Sequence, residues 1–290
     1  MPRTLDEGFS DFLDRLKATP TETEGAKSHR SSISTCLANN FGLKRFTRIG
    51  SFGNGTSIAG YSDVDYLAAL PTSQLTAGST YSMGKVRDAL DYRFPYTGVH
   101  VSCPAIVLPF GTVAAERTEI VIADEMGVSG NFKVYDIPDC ANGWMKASPD
   151  AHNHYVDSIH EQLYRKVKPL IRYVKAWKYL RDVPIKSFYL EMRIAKYCYN
   201  EKAIIYPIDL RHILKQLLDS GLAGMQDPMG ISGYISACKT EAKRIDALSK
   251  LETAFTRADK AYSAYNSGET SKAFDWLQLL FNNAFPNYYY

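Results

Sequence analysis

Gly50-Ser51-Phe52-Gly53-Asn54-Gly55-Thr56, followed shortly by Ser62-Asp63-Val64-Asp65, is the stretch around which the chain is organised. Glycine admits positive φ and lets a ligand come close to the main chain. Successive amides in such a turn make a concave nest that suits phosphate, and Ser51 and Thr56 add hydroxyl donors. The run Val64-Asp65-Tyr66-Leu67-Ala68-Ala69-Leu70, bounded by Pro71, reads as a strand. Residues i and i+2 of a strand share a face, so Asp63 and Asp65 aim together, roughly 6–7 Å apart along the chain. Two carboxylates so placed suit a hard cation such as Mg²⁺. A phosphate nest beside them is the equipment of metal-assisted phosphoryl transfer. Each half alone is weak, because Gly/Ser/Asn loops are common and an Asp-x-Asp pair is often a solvated turn. Their order and spacing together carry the reading.

Composition bounds the rest. A chain of 290 residues can bury a large core in one domain or two lobes. A net charge of +3 is too small to imply bulk nucleic-acid binding. The five cysteines, Cys36, Cys103, Cys140, Cys198 and Cys238, are scattered without a C-x-x-C. They read as reduced thiols of a cytosolic protein, not as a disulfide framework or a zinc site. Pro2 to Glu7 is polar and charged, so no signal peptide is expected. No apolar run is long enough to span a bilayer.

Residues 4–18 read as an amphipathic helix ended by Pro20, and Thr23 to Asn39 as a second, broken by Phe41-Gly42. Lys44 to Ile49 supplies a short strand that delivers the chain to Gly50. A helix is expected over Tyr81 to Phe94. Extended segments are expected over Val99 to Val101, Ala105 to Phe110 and the β-branched run Thr118 to Ala123. Residues 131–150 read as irregular, and from about His152 the pattern is helical almost to the end, with Tyr288 to Tyr290 as a short tail. The fold class is α+β. Residues 1–155 are expected to form a lobe with a mixed sheet, and residues 156–290 an all-helical lobe.

Metal ions in a pair share ligands, so a third acid is expected. Glu119 is the candidate, with Asp124 on the same strand as its rival, and Glu119 reads equally well as an exposed strand acid. The helix expected over Glu161 to Leu180 puts Leu163, Val167, Leu170, Val174 and Trp177 on one face and Arg165, Lys168, Arg172 and Lys175 on the other. Such a cationic stripe is either a solvated face or a surface for an anion. Pro169 is expected to kink this helix. Ser187 either caps the following helix or donates to a phosphate, and Phe188 or Tyr189 either stacks on a base or belongs to the core.

Taken together these residues resemble the bacterial CD-NTases, the cyclic GMP-AMP synthase-like branch of the polymerase-β-like nucleotidyltransferases. Gly50-Ser51 through Asp65 looks like the Gly-Ser…Asp-x-Asp signature of the superfamily. Glu119-Ile120-Val121-Ile122-Ala123 resembles its third-acid strand, with Glu in place of Asp and Ile122 in place of Pro. Leu170-Ile171-Arg172-Tyr173-Val174-Lys175-Ala176-Trp177 resembles the family's Leu-Ile-Arg…Lys-x-Trp helix, and Lys186-Ser187-Phe188-Tyr189-Leu190-Glu191 its phosphate-contacting serine segment. The resemblance implies a polymerase-β-like catalytic lobe and a synthase of a cyclic di- or trinucleotide second messenger made from nucleoside triphosphates, ATP among them. Asp63, Asp65 and Glu119 are implied as catalytic acids holding two Mg²⁺ ions, with Mn²⁺ able to substitute. Gly50, Ser51, Arg172, Lys175, Ser187 and Phe188 are implied as nucleotide-binding. The setting implied is a cytoplasmic monomer in anti-phage defence, with a downstream effector that binds the product and not this chain. Animal relatives carry a His/Cys zinc thumb that binds DNA. His152-Asn153-His154 has no cysteine nearby, so no DNA activation is expected, and without a long apolar run no membrane partner is expected either. Two other readings stay open: transfer of a nucleotide to RNA, a protein or a small molecule, and an inactive nucleotide-binding scaffold on the same fold.

Overall fold

The computed structural model describes residues 2–112 and 114–289. In chain order its elements are α1 (Leu5–Leu16), α2 (Pro20–Ser28), α3 (Arg30–Phe41), β1 (Arg45–Ile49), α4 (Gly50–Gly53), β2 (Val64–Leu70), α5 (Ser79–Arg93), β3 (His100–Ser102), β4 (Ala105–Pro109), β5 (Arg117–Ser129), β6 (Phe132–Pro138), β7 (Trp144–Ala147), α6 (Pro149–Gln162), α7 (Val167–Leu180), α8 (Ser187–Cys198), α9 (Tyr206–Asp219), β8 (Met225–Gln226), β9 (Tyr234–Ile235), α10 (Glu241–Asn266) and α11 (Thr270–Leu280). The class is α+β, as expected. Two compact units divide the chain: one of Ala18–His154 with Met229–Gly233, the other of Met1–Lys17, Tyr155–Pro228 and Tyr234–Tyr290.

In the first unit seven strands form one sheet in the order β1-β2-β5-β4-β3, with β6 on β5 and β7 on β6. The β2–β5 pair is parallel, while β1–β2, β4–β5 and β5–β6 are antiparallel. Helices α3 and α5 cover one face. Ile33, Leu37, Met83, Val86 and Leu90 pack there on Ala68, Leu70, Ile106, Ile120 and Ile122. The other face buries a smaller cluster, Leu67, Ala69, Ala123 and Tyr135. The period of two therefore separates the strand residues cleanly. On β2 and β5 the even positions face the helices, and Asp63, Asp65, Arg117 and Glu119 lie with the odd positions on the other face.

Three readings of this unit are corrected. The helix expected over Thr23 to Asn39 is two helices divided at His29, whose ring stacks on Phe110 at 3.7 Å. Residues 131–150 are not irregular: Phe132-Lys133-Val134-Tyr135 opens a strand, and Pro138, Gly143 and Pro149 mark the places where elements change. Cys103 and Cys140 are joined in a disulfide, where reduced thiols were expected. The β3–β4 turn and the β6–β7 loop meet only through strand pairing, which the separation of 37 residues conceals.

The second unit is helical apart from the short β8–β9 pair. Its core draws in α1, which the sequence grouped with the catalytic lobe. Phe9 and Phe12 are buried, and their rings meet Tyr173, Phe281 and Phe285 at 4.6–5.9 Å. The helix itself starts at a capping box made by Thr4 and Glu7, which satisfies end amides that lack helical partners. Helix α10 buries a stripe of small residues, Ala247, Ala254, Ala258, Ala261 and Ala264, which permits close approach to α9 and α11. The expected tail is tied down: the Tyr289 amide donates to the Pro2 carbonyl at 2.9 Å, and Tyr288 packs on Phe274. Tyr290 lies outside the described residues. Among the described residues no helix is long and apolar enough to cross a membrane.

Candidate active site

The acids of the sheet unit are built by register. In the parallel β2–β5 pair Asp65 stands opposite Glu119 and Val64 opposite Thr118. Asp63, one residue before the pair begins, extends the row beside Arg117. Like charges opposite each other on one sheet face repel, so the arrangement costs stability unless a cation or a proton relieves it. Both forms of relief are present. Burial, the adjacent Glu119 carboxylate and a hydrogen bond to it push the Asp63 carboxyl up to about 6, so Asp63 keeps its proton to a higher pH than a free aspartate. Arg117 Nη2 donates to Glu119 Oε1 at 2.9 Å, and its Nε lies 3.7 Å from Asp63 Oδ2.

Asp65 is held differently. Its carboxylate lies against the Gly50 α-carbon, so close that a Cβ there would stand 2.0 Å from Oδ2. Gly50 also has φ +60°, and Gly55 φ +65°. Residue 50 is glycine for both reasons: left-handed backbone and the approach of Asp65. The expected nest takes the form of a single helical turn, α4, followed by a turn in which the Thr56 amide donates to the Ser51 carbonyl at 2.8 Å. Thr56 and Ser57 are buried and Ser51 is half-buried. Ser62 is buried and accepts from the Ile58 amide at 2.9 Å, which closes the loop onto the start of β2. Asp124 stands apart. An odd spacing from Glu119 turns it to the helix-covered face, where Thr72 Oγ1 donates to it at 2.8 Å.

The donor set fits a hard divalent cation in its chemistry: carboxylate oxygens, with Asp63 and Glu119 close enough that each acts on the other's charge. The full trio is not gathered, however. Among the described residues no three His, Cys, Asp or Glu side chains surround one point. Asp63 and Glu119 form the pair, and Asp65 sits against the Gly50 turn.

In the helical unit the cationic stripe is corrected. The expected Glu161–Leu180 helix is two helices, because Tyr164 and Arg165 take left-handed φ of 52° and 63°. Pro169 falls in the first turn of α7, where its missing N–H had no helical partner to lose, so it introduces no kink. The cations are matched by acids: Arg165 Nε by Glu161 at 3.1 Å, Lys168 by Asp157 at 2.5 Å, and Lys175 by Glu191 at 2.7 Å. Lys175 is fully buried at 0 % exposure. Arg172, one turn before it, has its basicity lowered by burial.

Ser187 is not the cap of α8. Lys186 holds that position and Ser187 is the first helical residue. Its hydroxyl accepts from Lys178 Nζ at 3.0 Å and lies 3.3 Å from Tyr179 Oη. Phe188, next along, is exposed. Lys178 is the residue that the sequence reading missed. It lies one turn beyond Lys175 on the same helix, and that spacing was the available signal. Arg117 was missed as well, although the same i, i+2 rule that joined Asp63 to Asp65 joins it to Glu119.

Comparison with known proteins places this geometry. Residues 3–159, which include the glycine turn and all three acids, match the family model described as the Second Messenger Oligonucleotide or Dinucleotide Synthetase domain. In fold the chain is similar to CdnC of E. coli MS115-1, solved with ATP, at TM-score 0.76 and 16 % identity over 97 % of this chain and 98 % of that one. It is similar to CdnG of Bradyrhizobium diazoefficiens, solved with GTP, at TM-score 0.71 and 10 % identity over 96 % and 98 %. It is also similar to the Vibrio cholerae cyclic AMP-GMP synthase DncV, solved with the linear intermediate 5′ pppA(3′,5′)pG, at TM-score 0.65 and 14 % identity over 97 % and 87 %. The sequence comparison with curated proteins gave no match. The fold is thus that of the polymerase-β-like nucleotidyltransferases with a helical C-terminal part, and the chain belongs to the Second Messenger Oligonucleotide or Dinucleotide Synthetase family, as a nucleotidyltransferase that makes an oligonucleotide second messenger.

Proposed function

We propose that this enzyme joins nucleoside triphosphates into a cyclic di- or trinucleotide, and that Asp63, Asp65 and Glu119 are its reacting acids. The observation that carries the reading is the pairing of Asp63, just before β2, with Glu119 on the parallel strand β5, and Asp65 seated on the Gly50 turn. A pair of acids pressed together against their own repulsion is a poor structural element and a good cation site. These residues would hold Mg²⁺, or Mn²⁺ in its place. When bound, the ions would supply charge neutralisation at the α-phosphate and acidify the attacking hydroxyl. What the chain itself does is bind and orient. Ser51 and the turn around it are the contacts for the donor phosphates. Asp65, fixed by the Gly50 contact, is aimed along the same face as Glu119.

To the helical unit we assign triphosphate recognition through Lys178 and Ser187. The buried Lys175 and Glu191, with half-buried Arg172, supply net positive charge behind them. Exposed Phe188 is the candidate surface for a base. The named relatives with ATP, GTP and a linear dinucleotide support the substrate class and cyclisation in two rounds. We place the enzyme in the bacterial cytoplasm as a monomer in anti-phage signalling, its product and not the chain itself reaching the effector.

The test is incubation with Mg²⁺ or Mn²⁺ and all four labelled ribonucleoside triphosphates, then phosphatase and mass analysis, with Asp63→Asn/Asp65→Asn as control. A phosphatase-resistant nucleotide that is absent from the control is the expected result. A linear product, or label in RNA or protein, would overturn cyclisation and leave the transferase chemistry. The same product from the control would overturn the assignment of the acids.

A further inference from the structure

The sheet face that carries the acids also carries a cation. Arg117 lies beside Asp63 in the strand register and two residues before Glu119, so its side chain shares their face. One arm of the guanidinium donates to Glu119 at 2.9 Å. The other side of the group, Nε, lies 3.7 Å from Asp63 Oδ2, too far for a hydrogen bond. That Nε is buried and has no hydrogen-bond partner. Leaving a buried donor unsatisfied is costly, the more so for a charged group. Arg117 is therefore well enough placed to neutralise the pair and too poorly bonded to be a permanent part of it. The side chain is 43 % exposed, which leaves its outer part free to swing.

We propose that Arg117 is a displaceable counter-ion of the carboxylate pair, which occupies Asp63 and Glu119 until a divalent cation takes its place. The inference rests on the reading that these acids hold the cation. The competition is electrostatic, since one positive group and one ion seek the same oxygens. Two consequences follow. The nucleotide-free enzyme binds a divalent cation weakly, because Arg117 must first be removed. An arriving triphosphate supplies the displaced guanidinium with phosphate oxygens, a better bidentate partner than a shared carboxylate. Cation and nucleotide then favour each other's binding, and Arg117 acts as a positioning residue for both.

The test is direct Mn²⁺ binding to the full chain without nucleotide, read from the loss of the free-Mn²⁺ paramagnetic resonance signal. Wild type, Arg117→Gln, Arg117→Lys and Asp63→Asn are compared. Arg117→Gln is expected to bind Mn²⁺ roughly 10-fold more tightly than wild type, the scale of one nearby unit charge. Arg117→Lys, which keeps the charge, stays near wild type, and Asp63→Asn binds least. Circular dichroism checks the fold of each variant. If Arg117→Gln is poorly folded, the Mn²⁺-induced rise in melting temperature of Arg117→Lys against wild type gives the answer: a marked excess in the lysine variant would overturn the proposal. Asp63-dependent binding in wild type with no tightening in Arg117→Gln would sink the counter-ion role and leave the metal site standing. If no variant shows Asp63-dependent binding, the metal-site reading fails and the proposal with it.

Discussion

Substituting Gly50 by alanine tests how the active face is built, and Gly60 supplies the matched control. Both residues have left-handed backbone, φ +60° and +75°. Forcing an L side chain into that region costs roughly 1–2 kcal/mol. Only the first position adds a collision, since a Cβ at Gly50 would stand 2.0 Å from Asp65 Oδ2 and 2.7 Å from its Cγ, while one at Gly60 meets nothing within 4 Å. The backbone cost alone should lower both melting temperatures by about 2–8 °C at the usual 2–4 °C per kcal/mol for chains of this order, and Gly50→Ala should melt lower still because Asp65 must give way. Their rates should separate. In Gly50→Ala the Asp65 carboxylate must move by an ångström or more, and a displacement of that size costs about 100-fold in turnover. Gly60→Ala should keep its rate. The assay is pyrophosphate release at saturating Mg²⁺ and triphosphate, with melting followed by circular dichroism on the same samples. Wild-type turnover in Gly50→Ala, or an equal loss in Gly60→Ala, would refute the view that Gly50 exists to seat Asp65.

Two further outcomes are expected. The Asp63 carboxyl is held up near 6 in the folded protein against 3.8 when free, so the native state binds the extra proton and wild-type stability falls as pH rises from about 4 to 6. Asp63→Asn escapes this penalty and should be the more stable protein above pH 6, by about 1 kcal/mol after allowance for a side chain 35 % exposed, with the gap closing below pH 4. Denaturant titrations at pH 4 and pH 7.5 in chelator check it, and a wild type more stable than the variant at pH 7.5 would contradict it. In the helical unit, Glu191→Leu strands the buried Lys175 ammonium and should cost about 3–5 kcal/mol, whereas Lys175→Met/Glu191→Leu should recover most of the loss. Trp177 fluorescence during urea unfolding reports it, and a double variant as unstable as the single would show that the pair is not the source.

What could be read from the sequence was what repeats locally. The alternation in Val64-Asp65-Tyr66-Leu67 declared a strand, and that strand put Asp63 and Asp65 on one face before any neighbour was known. Glu119 was reachable because its strand carries the same signal. Asp124 could have been set aside by the same parity, five residues being an odd step. What could not be read depends on which segments meet. That Gly50 must be glycine for Asp65 is a fact about two atoms brought together by the turn, and no property of either residue announces it. The break between α6 and α7 was hidden for a related reason: Tyr164 and Arg165 adopt left-handed backbone without a glycine or proline to mark it, and periodicity ran straight through them. That one missed break propagated. It turned Pro169 into a kink when it opens a helix, and it drew four cations into a stripe when three are answered by Glu161, Asp157 and Glu191.

The two cations that were overlooked show how charge should be read here. A basic residue on a helix face says little until its acids are placed, and Lys175, the better family match, is the one sealed against Glu191. Lys178 matched nothing in particular, yet it is the lysine that meets Ser187. Arg117 has the reverse history: it stood in plain view two residues before Glu119, on the face that period two assigns to the acids. A carboxylate cluster in a folded protein without its ions must be neutralised by something, because repulsion between acids a few ångströms apart is too large to leave standing. The search for a metal site is therefore also a search for the group that stands in when the metal is away. On the reading proposed above, that group is the guanidinium of Arg117, beside the raised carboxyl of Asp63.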